Sequence, residues 1–381
     1  MNSSRLYFFV LFLLREEKRL TLQAKLDEFF NALQNLVGAP QDSNHQVSVA
    51  NTLKALDTAF TTFESALTPA QTTALQELGA YEFFSTSLVG KVRALLSENP
   101  MTPTVARDGV DKLRNARAAY IQALQTTDSS MKYLKVRPDD LKPDSAEIGF
   151  LLPRALFSNR LDLLVKELRD IELIIRQFSE VVTGSVEEIT VRQISTSDPM
   201  FFFGISAATI SAIGASITWM LNTWKQALEI KKKYNELKDL GLDDDVLGKI
   251  EGNVKKKVDD SIRERAAELI KEYRVTDAGR KSELENGLKW AMQALMARVE
   301  RGMIVEVRFL PPPKPKDEGA TPEQQAEYQA KASQFAELGK IAKDLEFPAI
   351  EGEPILQIPP HKSIDGAPSE AKAENPKKKA Q

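Results

Sequence analysis

The stretch that decides the fold is PMFFFGISAATISAIGASITWMLNTW, residues 199–224, an uncharged run of 26 residues between Asp198 and Lys225. A helix of about 20 mainly apolar residues can cross a bilayer, so this run is long enough to cross one. Arranged as a helix, however, it gathers most large apolar side chains on one face and most hydroxyl side chains on the other. That segregation is typical of a helix packed on protein. Two interpretations are open: a buried or partner-bound helix, or a membrane segment.

The start of the run and its small residues bear on both interpretations. Asp198 as an N-cap and Pro199 at the first helical position predict that the helix begins with the run. Small residues recur every four positions and would allow close helix packing in lipid; they are Gly204, Ala208, Ala212 and Ser216, together with Ala207, Ser211 and Ala215. The side chains that we expect to meet a partner or a membrane are Phe201, Ile210, Ile213, Ile217, Met220 and Trp224.

The composition is that of a globular protein with room for two or three domains. The chain has 381 residues, of which 42% are apolar and 28% charged. Its net charge of −3 gives no overall attraction for nucleic acid or anionic lipid. The absence of cysteine excludes thiol nucleophiles, disulfides and cysteine-ligated metal sites, and it fits a reducing compartment. We therefore expect a cytoplasmic protein.

Hydrophobic periodicity predicts a mainly α fold, made of helical bundles with long amphipathic helices and one small β pair. The predicted regions are an apolar N-terminal segment (1–19), an N-terminal helical bundle (20–130), a linker (131–149), a central helical unit with two short strands (150–310), a proline-rich linker and helix (311–346) and a largely disordered tail (347–381). Within the first region, LYFFVLFLL (6–14) is predicted to be a core segment or the start of a helix. A membrane-surface anchor is its alternative.

Helix signals divide the N-terminal bundle into four helices. Apolar periodicity predicts helices at 22–36, 49–67 and 110–124, the second with heptad spacing typical of coiled coils. Between the last two, Thr68-Pro69-Ala70-Gln71 has the cap, proline and glutamine of a helix start, and the apolar pattern continues from there to Asn99. The same signal recurs at Thr321-Pro322-Glu323-Gln324. Short connections between such helices favour an antiparallel bundle.

In the central unit, a helix from about 161 to 182 has a clear heptad spacing, and Gly184 is placed to end it. VEEITVRQI (186–194) and MIVEVRFL (303–310) are rich in β-branched residues and predict strands. Because two isolated strands are more stable paired than alone, we expect them to pair, with residues 355–358 at an edge.

No recognised catalytic motif is present in the sequence. The spacings of phosphate loops, dinucleotide fingerprints, nucleophile elbows, metalloprotease helices and kinases are missing. The acidic pairs Glu187-Glu188 and Asp259-Asp260 are most simply solvated charges. No catalytic, cofactor-binding or metal-binding residue is predicted, and no cofactor.

Two lysine runs flank one predicted helix turn and could form an anion-binding face. They consist of Lys231, Lys232, Lys233, Lys255, Lys256 and Lys257. The alternative is a solvated helix face, which the lack of interleaved aromatic or arginine side chains favours. The sequence thus contains no strong nucleic-acid signal.

These features favour a non-enzymatic helical interaction or structural protein that self-associates or binds another helical protein. The first alternative is a membrane-associated or membrane-inserting effector that uses helix 199–224. Its C-terminal part would lie in the cytoplasm, because Lys225 and Lys231–Lys233 follow the uncharged run. The second alternative is an enzyme that uses only carboxylates.

Overall fold

A computed structural model of the chain describes residues 3–195, 199–239, 244–273, 278–315, 321–347 and 356–359. Within these ranges the fold is mainly α-helical, with a four-stranded antiparallel sheet. The helices are α1 (Ser3–Leu20), α2 (Leu22–Gly38), α3 (Ser43–Ala66), α4 (Pro69–Glu77), α5 (Tyr81–Phe84), α6 (Thr86–Glu98), α7 (Pro103–Tyr133), α8 (Arg154–Phe157), α9 (Leu161–Thr183), α10 (Ala207–Asp239), α11 (Asp244–Glu272), α12 (Ala278–Val299) and α13 (Pro322–Asp344). The strands are β1 (Ser145–Leu151), β2 (Thr190–Ser195), β3 (Met200–Gly204) and β4 (Ile304–Leu310).

Helices α1 to α7 enclose one hydrophobic cluster. The apolar segment 6–14 lies inside α1, where Tyr7, Phe9, Val10 and Leu13 are buried, and α1 packs on α3 and α7. This segment contacts protein, in agreement with its prediction as a core segment. Burial of such side chains contributes about 1.5–3 kcal/mol each, so α1 is an integral part of this unit.

The predicted third helix, from residue 69 to Asn99, is broken into α4, α5 and α6. Gly79 has a φ of +64°, a left-handed conformation that a helix cannot include, and Ser85 then caps α6 by accepting the backbone N–H of Ser87. The capping boxes are confirmed: Thr68 caps α4 with Gln71, and Thr321 caps α13 with Gln324. The apolar pattern continues past Gly79 because it follows which side chains are buried, and both α4 and α6 bury apolar side chains.

A buried arginine joins the helices of this unit. The fully buried guanidinium of Arg117 on α7 donates to the Glu17 carboxylate at 2.5 Å, to Gln23 Oε1 at 3.0 Å and to the carbonyl of Phe83 at 2.8 Å. Burial lowers the pKa of Arg117, while the hydrogen bond and charge of Glu17 act in the opposite direction. The guanidinium therefore connects α1, α2 and α5 to α7.

The sheet differs from the predicted β pair. Its strand order is β2-β3-β1-β4, so the two predicted strands, at 186–194 and 303–310, do not pair with each other. Strand β1 begins inside the predicted linker 131–149 and pairs with β4 from Ser145–Leu310 to Leu151–Ile304. Strand β3 lies inside the uncharged run and pairs with β1 and β2. Runs of apolar residues such as those in β3 do not alternate, so period alone cannot distinguish them from helix.

The uncharged run therefore contains a strand and then a helix, and the predicted helix start at Pro199 is wrong. Helix α10 begins at Ala207, after a cap by Ser206, whose hydroxyl accepts the N–H of Thr209 at 3.2 Å. The Glu187 carboxylate accepts the backbone N–H of Ser206 at 3.0 Å and the hydroxyl of Thr209 at 3.2 Å. These bonds satisfy N–H groups at the start of α10 that have no partner within the helix.

The two faces of the sheet meet different parts of the molecule. One face enters the hydrophobic cluster that includes α9 to α13; its residues are Ile148, Phe150, Phe201, Phe203, Val305 and Val307. The other face meets the start of the chain, where Arg5 donates to the Glu306 carboxylate at 2.7 Å. On the same face Arg308 donates to the Asp139 carboxylate at 2.7 Å, and the Phe202 ring lies near both guanidinium groups. These contacts join the N-terminal helices to the sheet.

Helix α13 packs on α10 through the small residues of the uncharged run. A Cβ atom added at Gly214 would clash with Cγ2 of Ile341, a residue that is buried on α13. Small side chains let two helix backbones approach closely, and this holds in protein as it does in lipid. Here that approach is between two helices of the same chain.

The last described residues are held against the turn between α12 and β4. The backbone N–H of Leu356 donates to Glu300 at 2.8 Å, and Arg301 donates to the Leu356 carbonyl at 2.7 Å. Residues 356–359 form no strand, which differs from the predicted edge strand at 355–358. The remainder of the predicted disordered tail, from residue 360, lies outside the described residues, as do residues 348–355.

Candidate functional site

The side chains predicted to meet a partner or a membrane lie in the core of the chain itself. In α10, Ile210, Ile213, Ile217 and Met220 are each at most 1% exposed, and Phe201 in β3 is 7% exposed. Trp224 lies in α10, but its side chain is outside the described part. The described part of this face is therefore occupied by contacts within the protein.

The predicted anion-binding face is described only in part. Lys231, Lys232 and Lys233 lie in α10, and Lys255, Lys256 and Lys257 lie in α11. Of these side chains the structure describes Lys256 and Lys257, which are exposed. Whether the two runs form one face stays a prediction.

An open apolar groove lies between α9 and the outer strand β2. It has a volume of about 840 Å³, and Phe201 and Phe203 of the neighbouring strand also line it. Three of its large side chains face solvent: Val165 is 56% exposed, Val191 59% and Ile194 54%. The groove is a continuation of the buried face of the sheet, because Val191 pairs with Phe203 and Ile194 with Phe201. At β2 this apolar face reaches water.

Two further large apolar side chains outside the groove lining are exposed. Leu161, one turn before Val165 on α9, is exposed, and so is Val186, which precedes β2. Soluble proteins seldom expose contiguous apolar patches larger than a few hundred Å², and larger ones mark interaction sites. We call these residues, Leu161, Val165, Val186, Val191 and Ile194, the β2 patch.

Charged side chains surround the groove. Arg169, Glu172 and Arg176 line it from α9, and Arg176 forms an ion pair with Glu172 at 2.9 Å. Glu188 lines it from the segment before β2 and is exposed. An apolar centre with a charged rim is the usual anatomy of a protein interface.

One residue of each acidic pair has a structural partner. Both oxygens of Glu187 accept the hydrogen bonds that cap α10, which leaves this carboxylate engaged rather than poised as a base. Asp259 accepts the side-chain N–H of Gln293 at 2.9 Å. Both contacts are with groups of the chain itself, so each of these two carboxylates has a structural role.

The apolar pattern of α9 contains a sequence signal for the groove. Leu161 begins the heptad spacing that predicts this helix, yet it is 75% exposed. Leu161, Val165 and Leu168 are spaced i, i+4 and i+7, which is a second apolar stripe beside the buried one. A helix with two such stripes has more apolar surface than one core contact covers.

In the described part of the chain, no group of three or more histidine, cysteine, aspartate or glutamate side chains is arranged to hold a metal ion. None of the described helices combines the length and the apolar character needed to cross a bilayer. No protein-family model matches the chain, and neither a curated protein nor a solved structure matches it.

Proposed function

We propose that this chain is a non-enzymatic interaction protein that self-associates through the β2 patch. The observation that carries the proposal is the exposure of Val165, Val191 and Ile194, each more than half accessible on one side of the molecule. At about 25 cal/mol per Å² of apolar surface removed from water, covering such a patch favours association. The exposed apolar side chains of the β2 patch would then pack against a second molecule, as the rest of this sheet face packs against the core.

The helical part of the proposal is a bundle of amphipathic helices with coiled-coil-like spacing over residues 20–130. It is supported by α2, which buries Leu22, Leu26, Phe29 and Leu33 at positions spaced by three or four. A cytoplasmic location belongs to the same proposal and is supported by the absence of cysteine.

Light scattering coupled to size-exclusion chromatography, at several protein concentrations, tests the association. We expect the mass of the wild-type protein to rise with concentration and that of Val191→Glu to stay at the monomer value. Val105→Glu is the matched control, since Val105 on α7 is 53% exposed and Val191 is 59% exposed.

Two outcomes would overturn the proposal. The first is a wild-type chain that is monomeric at every concentration. The second is association of Val191→Glu equal to that of Val105→Glu, which would move the contact away from the β2 patch. Circular dichroism spectra of both variants establish that they are folded.

A further inference from the structure

Strand β2 has a free edge. In the order β2-β3-β1-β4 it is the outermost strand, so within the described residues only β3 pairs with it. An edge strand presents unpaired backbone N–H and C=O groups that can pair with another strand. Natural sheets blunt such edges with proline, charged side chains or β-bulges. The segment 186–195 contains no proline, but it carries exposed Glu188 and Arg192 and a β-bulge between Val191 and Gln193. Its exposed side chains include Val191 and Ile194.

The sequence around β2 is complementary to its own reverse. In VEEITVRQI, residues 186–194, positions equidistant from Thr190 match in character: Ile189 with Val191 and Glu188 with Arg192. In a two-fold symmetric contact, residue i of one copy faces residue j of the other and j faces i. Antiparallel pairing of two copies about Thr190 would therefore place apolar against apolar and acid against base.

Other registers lose this match. With the axis moved by one residue to Val191, Arg192 faces Thr190 and Glu188 faces Ile194; moved to Ile189, Arg192 faces Val186 and Glu188 faces Thr190. With the axis at Arg192, two like charges oppose each other. Opposite charges directly across a strand pair are stabilising, and like charges are destabilising. The charges thus permit one register and disfavour its neighbours.

Both charged side chains of this contact are exposed to solvent. Glu188 and Arg192 are exposed and line the same depression beside Gly204. Among the described residues, neither forms an ion pair within 4.0 Å. A β-bulge between Val191 and Gln193 leaves Arg192 out of the pairing with β3, and its side chain lies over Gly204. Bulges re-aim side chains in this way.

We infer that two copies of the chain join through antiparallel pairing of residues 186–194 with the same residues of the second copy, about a two-fold axis at Thr190, the first residue of β2. Glu188 of each copy then pairs with Arg192 of the other. This inference rests on the proposed self-association and specifies its geometry. The two sheets become continuous, and Ile189 and Val191 of the two copies cover one another on the groove side.

A charge exchange tests the register. Glu188→Arg and Arg192→Glu should each weaken dimerisation about tenfold or more, because each single change places like charges together twice per dimer. The double variant Glu188→Arg/Arg192→Glu should return the dissociation constant to within about threefold of wild type. Sedimentation velocity at several concentrations measures all four proteins. A double variant as weak as the single variants overturns the register.

A cysteine cross-link tests the axis, because the wild-type chain contains no cysteine. Two Thr190 residues at the axis would have Cα atoms about 4.5–5.5 Å apart, within disulfide range, so Thr190→Cys should form a covalent dimer on mild oxidation. Val186→Cys, four residues from the axis, is the control and should not cross-link. A reducing agent should reverse the cross-link.

The outcomes separate this inference from the proposed function. A monomeric wild-type chain overturns both. A wild-type chain that associates, with all charge variants equal to it and with Thr190→Cys uncross-linked, overturns the β2 pairing and leaves self-association standing.

Discussion

The two outer strands of the sheet differ in how far the rest of the described chain covers them. Strand β4 ends the sheet on one side and is covered by α13, where the Phe335 ring lies 6.0 Å from that of Phe309. Strand β2 ends the sheet on the other side, and its Val191 and Ile194 are more than half exposed. The apolar face is the same on both strands. Only one of them is covered within the described chain.

The covering of β4 comes from the next element in sequence. Helix α13 follows β4 after a proline-rich segment, and it packs on α10 as well as on β4. Closing a short loop costs little conformational entropy, so a helix that follows β4 closely in sequence can pack on it at a small entropic cost. The element after β2 is β3, which pairs on the opposite side. The outer side of β2 is thereby left uncovered within the described part of the chain.

The comparison predicts that core truncation is far more costly at the covered edge than at the open one. Phe335 is 4% exposed, and Phe335→Ala should lower the free energy of unfolding by about 3–5 kcal/mol. Ile194→Ala at the open edge should change it by about 0.5 kcal/mol or less. Urea denaturation at a low protein concentration, where self-association does not contribute, measures both. Equal losses would contradict the distinction between the edges.

A second prediction concerns how closely α13 approaches. Gly214→Ala places a methyl group against Ile341, so it should destabilise the protein by about 1–3 kcal/mol through overpacking. Hydrogen exchange in β4 should also become faster, because its cover is displaced.

The matched control is Gly252→Ala in α11, where an added Cβ would meet no atom within 4 Å. Removing a helix glycine there should stabilise the chain by about 0.5–1 kcal/mol. If Gly214→Ala is as stable as Gly252→Ala, the close packing of α10 and α13 is refuted.

Local signals predicted the helical part of the fold, and tertiary context decided the rest. The capping boxes at Thr68 and Thr321 and the helix stop at Gly184 depend on neighbouring residues alone, and all three are present. Strand β3 could not be predicted in this way. Asp198-Pro199 has the form of a helix start, and only pairing with β1 and β2, distant in sequence, makes the next residues a strand.

The candidate site was predictable in its elements but not in its exposure. Val191 and Ile194 belong to a predicted strand, and Leu161 to a predicted helix. Whether these side chains are covered depends on the strand order, which places β2 outermost. Strand order cannot be predicted from a local sequence pattern. The β-bulge that re-aims Arg192 is likewise a consequence of the pairing with β3.

A third prediction concerns the face of β4 that meets the N-terminal helices. Arg5→Met leaves the Glu306 carboxylate, whose side chain is 9% exposed, without the guanidinium that it accepts from. Loss of about 1–3 kcal/mol is expected, because a buried charged group then lacks a hydrogen-bond donor. Lys25→Met removes a pair with Glu28 whose side chains are 32% and 52% exposed, and it should cost less than about 1 kcal/mol. Thermal or urea denaturation compares the two variants, and equal effects would contradict the prediction.

The smallest effect is expected at Glu147 in β1. Its side chain is on the face of the sheet that meets the N-terminal helices, between the outer strands β2 and β4. In the sheet register it is opposite Gly204 on one side and Arg308 on the other. Burial raises the pKa of Glu147. Arg308 from the covered edge lowers it, the Asp139 carboxylate raises it, and Arg192 from the open edge lowers it less than Arg308 does. The outcome of these opposing influences is a raised pKa.

The sign of the pH dependence follows from that direction. A raised pKa means that the folded chain holds the proton of Glu147 more tightly than the unfolded chain does, so its contribution to stability is complete below the ordinary value of 4.5 and is lost as pH rises through the folded-state pKa. Glu147→Gln should therefore be more stable than wild type at neutral pH, and this advantage should shrink as the pH is lowered toward 4.5 and below. Urea denaturation across this range measures it, with Glu77→Gln, an exposed glutamate of α4, as the matched control. A Glu147→Gln advantage that is absent at neutral pH, or that grows on acidification, would show that the arginines of the two edges outweigh burial at this carboxylate.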